Sequence, residues 1–152
     1  MSQQANGPRP DQESSGIVLH LFGRTDVGQI REHNEDNFLI ANLTTGRRSL
    51  MEEDRHQAVG PRGTILGVCD GMGGAAAGEV ASQLAVDIIF ERLSEGEAPP
   101  TRDDLARRLV RAIEDAGIRI YGEARADRTR RGMGTTATVA ALVDGRVFVG
   151  QV

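Results

Sequence analysis

Residues 64–69 (TILGVC) form an apolar run of strand length that stops against Asp70-Gly71-Met72-Gly73-Gly74, and an amphipathic stretch opens soon after, near Ala77. A buried strand, a glycine cluster and a helix in that order constrain the fold more than any other segment of the chain. Asp70 then stands at the end of a strand, on rigid scaffold, aimed above the sheet edge. Glycines behind it let backbone carbonyls and amides approach an ion closely. A lone carboxylate buried there would be costly without a cation beside it. The plainer alternative is a tight turn that happens to contain aspartate.

The rest of the chain is read around that unit. Ile17, Leu19 and Leu21 alternate with Val18, His20 and Phe22, which predicts a strand apolar on both faces. Residues 37–41 (NFLIA) predict a second short strand, and the polar residues 42–63 an exposed loop. The first helix is expected from about Ala77 to Leu93, with Val80, Leu84 and Ile88 at a spacing of four beside Ala81 and Ala85. Residues 96–100 (GEAPP) end it. A second helix has Thr101 as N-cap and Asp104 three residues on, a shortened capping box. Its apolar stripe is Leu105, Leu109, Ala112, Ala116 and Ile120, running to about Ala124. Residues 125–131, rich in arginine, read as loop. Residues 135–143 and 146–152 flank Asp144-Gly145, a strong hairpin signal. The polar residues 1–15 read as a disordered tail, leaving 16–152 as one domain.

Composition removes several function classes. The formal net charge of −4 argues against general affinity for nucleic acid phosphates. No Trp, one Tyr and four Phe leave little for a base-stacking platform. No apolar run approaches the ~18 residues of a membrane span, and the polar start is no secretory signal. One cysteine, Cys69, permits no internal disulfide, which fits a cytoplasmic protein.

Three segments could carry chemistry. Arg31-Glu32-His33-Asn34-Glu35-Asp36 lies between two strands. Arg31 offers a planar fork suited to phosphate or carboxylate, and Glu35 and Asp36 offer the hard oxygens that Mg²⁺ and Mn²⁺ prefer. A solvated charged turn would explain these six residues equally simply. The second segment is the Asp70 turn with Gly78 behind it. Gly71, Gly73 and Ala76 also satisfy a dinucleotide fingerprint. Against that, Asp70 would set a negative charge beside the pyrophosphate, and no strand with a ribose-binding acid follows. The third is Gly132-Met133-Gly134-Thr135-Thr136, where small and hydroxylated residues allow close packing.

In this order and context, residues 23–36 (GRTDVGQIREHNED), 70–82 (DGMGGAAAGEVAS) and 132–136 (GMGTT) resemble the metal-dependent protein phosphatases of the 2C type, the PPM family, in its bacterial branch. The resemblance covers about residues 17–152. It implies an α/β (α+β) fold, an α-β-β-α sandwich of mostly antiparallel sheets, here with its C-terminal portion missing. It implies two divalent cations, Mn²⁺ or Mg²⁺, that activate water for direct attack on phosphorus, and phosphoserine or phosphothreonine proteins as substrates. By motif, Asp70 is similar to the carboxylate that bridges both metals and Gly71 to a carbonyl ligand. Glu35 is similar to an acid in the same metal's shell, Asp36 to the acid acting on metal waters, and Arg31 to the phosphate-holding residue. Catalytic roles thus fall to Arg31, Asp36 and Asp70, and metal binding to Glu35, Asp70 and Gly71.

Two departures follow from the same resemblance. Met72 stands where eukaryotic members carry a histidine, as it commonly does in bacterial ones. The family's Gly-Asp-Ser-Arg motif would follow Val152, so the later metal-binding aspartates are absent and the binuclear site is expected to be incomplete. A catalytically impaired phosphatase is therefore expected, its open sheet edges inviting association. The competing expectation is a phosphatase-like module that binds phosphoproteins without turning them over. His20 reads as a core or edge residue, and His33 and His56 as solvated. Cys69 reads as an inert packing thiol, and Arg125, Arg128, Arg130 and Arg131 as a solvated basic loop.

Overall fold

A computed structural model describes residues 16–48, 56–74 and 76–152. In chain order the strands are β1 (Val18–His20), β2 (Asp36–Asn42), β3 (Arg47–Arg48), β4 (His56–Ala58) and β5 (Thr64–Met72). Two helices follow, α1 (Ala77–Ser94) and α2 (Arg102–Ala126), then a 3-10 turn over Arg128–Arg130. The chain returns through β6 (Gly134–Thr135), β7 (Thr138–Val143) and β8 (Arg146–Gln151). The main sheet runs β3-β2-β5-β7-β8, with β6 attached to β5, and each pairing is antiparallel. β1 and β4 form a separate antiparallel ribbon.

β5 sits at the centre because its apolar residues serve both faces. Ile65 and Cys69 point to the helices together with Leu39 and Ala41 of β2 and Val139 and Ala141 of β7, each at most 2% exposed. Antiparallel strands with a side-chain period of two produce this arrangement. α2 answers with Leu105, Leu109, Ala112, Ala116 and Ile120, all buried, which is the stripe the sequence predicts. Its N-cap is also as predicted: the Asp104 amide donates to Thr101 Oγ1 at 3.2 Å. The last hairpin turns on Asp144 and Gly145, with φ of 49° and 68°, the left-handed pair of a type I′ turn.

Several expectations are corrected. The strand predicted over 17–22 shortens to Val18–His20, the residues that pair with β4. Phe22 is 74% exposed beyond it. The predicted loop 42–63 carries β3 and β4 and buries Leu43 and Val59; its residues 49–55, like the tail 1–15, lie outside the described residues. β5 continues through Asp70, Gly71 and Met72, since β2 and β6 still supply partners there. On α1 the buried set is Ala77, Gly78, Ala81, Ser82, Ala85, Val86, Ile89 and Leu93, while Val80, Leu84 and Ile88 are only half-buried. The helix packs on β5 and β2 beside α2, which covers β7 and β8, and its small residues let it sit close to the sheet. α2 extends through Arg125 to Ala126, and the next residues are not a plain solvated loop. Arg130 bridges Glu123 at 2.8 Å and Asp127 at 3.5 Å, which folds the chain into the 3-10 turn. The strand expected over 135–143 is split: Thr136 donates its amide to the Asp70 carbonyl at 2.9 Å, and β7 begins two residues later.

The dinucleotide alternative fails on topology. β5 is antiparallel to both β2 and β7, so no parallel crossover unit exists around the glycine cluster.

Candidate functional site

The sheet brings two of the sequence-derived carboxylates face to face. Asp36 opens β2, and its register partner on β5 is Asp70. The Gly71 amide donates to the Glu35 carbonyl at 3.0 Å, which makes 35 and 71 a hydrogen-bonded pair. The next pair, 36 and 70, is therefore of the non-hydrogen-bonded kind, with Cα atoms ~4.5 Å apart and side chains on one face. Like charges placed directly opposite oppose folding. Consistent with this, the Asp36 carboxyl is pushed above the usual aspartate range, first by partial burial and then by Asp70, with Glu35 adding to the rise. Arg31 acts in the other direction and lowers it.

The backbone on both sides is fixed by groups outside the predicted list. Thr136 holds Asp70 twice, accepting the Asp70 amide on Oγ1 at 3.2 Å and donating its own amide to the Asp70 carbonyl. The Asp36 amide donates to Asn34 Oδ1 at 3.0 Å, and Asn34 Nδ2 donates to Thr25 Oγ1 at 2.7 Å. Asn37 Nδ2 reaches Ser82 Oγ on α1 at 3.0 Å, tying the start of β2 to the helix layer. Apart from Asn37, these supports sit inside the motifs that sequence singles out, but a linear reading has no signal for which hydroxyl meets which amide.

Glu35 takes a different direction from Asp36. Adjacent residues at a strand entry point to opposite faces, and the Glu35 carboxylate lies on the helix side, packed against Gly78 in the first turn of α1. A Cβ at Gly78 would collide with Glu35 Oε1, and one at Gly71 would collide with the Gly78 carbonyl. Both glycines are thus required by close approach. Arg31 is exposed, and Met72 is 60% exposed on the Asp70 face of β5. Cys69 points the other way, 2% exposed, its thiol pushed up to about 11 by burial, so it is an inert packing group.

The donor chemistry fits a hard divalent cation. Two carboxylates that repel one another can share one such ion, which binds through one or two carboxylates and otherwise water. Among the described residues no group of three or more His, Cys, Asp or Glu side chains converges in a way that could hold a metal.

Comparison with known proteins bears on the family and the fold. The family model described as protein phosphatase 2C matches residues 45–152. A serine/threonine phosphatase (stp) of Listeria monocytogenes is 32% identical over 134 residues, which span 88% of this chain and 47% of that protein. PstP of Mycobacterium tuberculosis, a serine/threonine protein phosphatase, is 30% identical over 86% of this chain and 21% of its own length. The crystal structure of the Mycobacterium tuberculosis phosphatase PstP/Ppp superposes with a TM-score of 0.66 at 29% identity, covering 90% of this chain and 47% of that one. The chain thus spans about half the length of the Listeria relative. With most of its length matched by the family model and its sheet and helices shared with a solved member, this chain belongs to the protein phosphatase 2C family.

Proposed function

We propose that the chain carries a divalent-metal-dependent site for hydrolysing phosphoserine and phosphothreonine in proteins, built on Asp70, Asp36, Glu35, Gly71 and Arg31. The single observation that carries this reading is the pairing of Asp36 with Asp70 across two antiparallel strands. Mg²⁺ or Mn²⁺ bound there would supply Lewis-acid polarisation of the phosphoryl group and a more acidic water. The chain's own residues do the rest. Asp70, clamped by Thr136, holds a fixed oxygen at the strand end. Asp36, whose carboxyl retains its proton more tightly than an ordinary aspartate, would take the proton that an attacking water gives up. Arg31 is exposed at the mouth of the site, where its fork can grip two phosphate oxygens. Gly71, free of a side chain, would offer its backbone carbonyl, and Glu35, whose carboxylate lies on the helix side against Gly78, would act on that ion through water.

Phosphate release from a phosphothreonine peptide in the presence of added Mn²⁺ tests the proposal. Asp70→Asn is expected to lower the rate by about 10²–10³, the scale of losing one preorganised electrostatic contact. Release that survives chelator or is unchanged by Asp70→Asn contradicts it. The absence of a third converging acid among the described residues favours a second reading, phosphoprotein binding without turnover. Chelator-insensitive retention of the phosphopeptide, with no phosphate released, selects that one. Among the described residues no helix is long and apolar enough to cross a membrane, so a site working on proteins in water is compatible with the chain.

A further inference from the structure

The β1–β4 ribbon lies apart from the carboxylate pair and sets two histidines against each other. His20 and His56 are direct register partners, and both are exposed. The Val59 amide donates to the Ile17 carbonyl at 2.9 Å, so 17 and 59 form a hydrogen-bonded pair. Alternation along the ribbon then puts 20 and 56 on a non-hydrogen-bonded pair, where side chains come closest. The rings touch edge to face, with centroids 4.2 Å apart and planes at 75°. His56, expected in a solvated loop, is instead held by a strand pairing against a second imidazole.

Two neutral imidazoles held this way are a bidentate nitrogen donor set. A shared ion would take one nitrogen of each ring at the ~2.0–2.1 Å that Zn²⁺ requires, with the two exposed side chains turning to present them. Imidazole suits Zn²⁺, Ni²⁺ and Cu²⁺, whereas the oxygens of Asp36 and Asp70 suit Mg²⁺ and Mn²⁺, so the two places in the molecule select different ions. Among the described residues no third acid, histidine or cysteine joins the pair, and water would complete the shell. We propose that His20 and His56 form a two-imidazole chelate for a borderline divalent cation of the Zn²⁺ class, clipping β4 to β1. The proposal stands apart from the phosphatase reading, since it uses none of that site's residues.

Titration of the whole chain with Zn²⁺ alone, followed by the imidazole C–H resonances in proton NMR, tests it. The chain has three histidines, and His33, exposed in the loop before Asn34, is the internal reference. Both ribbon imidazoles are expected to shift together along one saturation curve, ahead of His33. His20→Gln and His56→Gln should each weaken Zn²⁺ binding at the remaining ring by roughly tenfold to a hundredfold, no less than the loss of an outer-shell partner costs. Circular dichroism establishes that each exposed replacement leaves the fold intact. A Zn²⁺-induced rise in Tm in the parent chain, absent from both variants, is the second readout. Rings that shift independently, keep their affinity when the partner is replaced, or stay still while His33 titrates would overturn the chelate.

Discussion

The two faces of the main sheet are built from the same strands and meet opposite fates. On the helix side, Leu39, Ile65, Val139 and Ala141 are at most 1% exposed. On the other side, Val68 is 60% exposed, Val147 57% and Val149 65%. Residues 21–23 cross part of that second face and line an open groove of about 310 Å³ with Phe38, Ile40, Leu66 and Val68. The comparison teaches where stability and chemistry separate. Burial against α1 and α2 holds the fold together, while Asp36 and Asp70 project from the open face, where a cation and a phosphoryl group can reach them. Period-two alternation lets a single strand such as β5 serve both, with Ile65 and Cys69 inward and Val68 and Asp70 outward.

The sharpest way to break that contrast is to damage the covered face. Leu109→Ala removes a side chain that is 2% exposed at the centre of the α2 stripe, and it should cost about 2–5 kcal/mol in denaturant unfolding. A loss below 1 kcal/mol would show that the helix layer is not the principal source of stability.

A smaller effect comes from the carboxylate pair. In metal-free protein the Asp36 carboxyl titrates above its unfolded value, so the folded state binds this proton more tightly. That contribution to stability is present at low pH and is lost as pH rises through and above the ordinary aspartate range. Asp36→Asn should therefore flatten the fall in Tm over that window and raise metal-free stability near neutral pH by about 0.2–1 kcal/mol, the size of a cross-strand pair. A fall in metal-free stability on this substitution would mean the two carboxylates do not repel.

The least costly change lies on the open face. Val149→Lys on the edge strand β8 should shift unfolding stability by no more than about 0.5 kcal/mol. It should also reduce any self-association seen by sedimentation, because charge on an edge blocks strand addition. Destabilisation comparable to Leu109→Ala would show that this face is packed after all.

Much of the covered half could be read from residue order. The strand–glycine–helix unit around Asp70, the Thr101 cap, the α2 stripe and the Asp144-Gly145 hairpin rest on local chemistry that works within a few residues. What escaped depends on partners distant in the chain. β3 and β4 are two and three residues long and exist only through β2 and β1, so their sequences carry no period to detect. α1 misleads because its buried face, Ala81, Ala85, Val86, Ile89 and Leu93, is offset from the half-buried Val80, Leu84 and Ile88 row that the spacing singles out. The candidate site shows the same division. Asp36 and Asp70 are recognisable as acids in separate motifs, but their opposition is a fact of register. Glu35 and Asp36 look like neighbouring ligands in the sequence, and the pleat sends them to different sides. Thr136 as the clamp on Asp70, and Thr25 with Asn34 behind Asp36, are hydroxyl and amide contacts whose partners only the folded chain names.

Mn²⁺ affinity of the intact chain compared with that of Asp36→Asn and Asp70→Asn, by calorimetric titration, probes most directly the claim that two opposed aspartates exist to share a cation. The account predicts saturable binding in the parent chain and a loss of at least about tenfold in each variant. Equal affinity in all three proteins, or none in the parent chain at millimolar Mn²⁺, would contradict it.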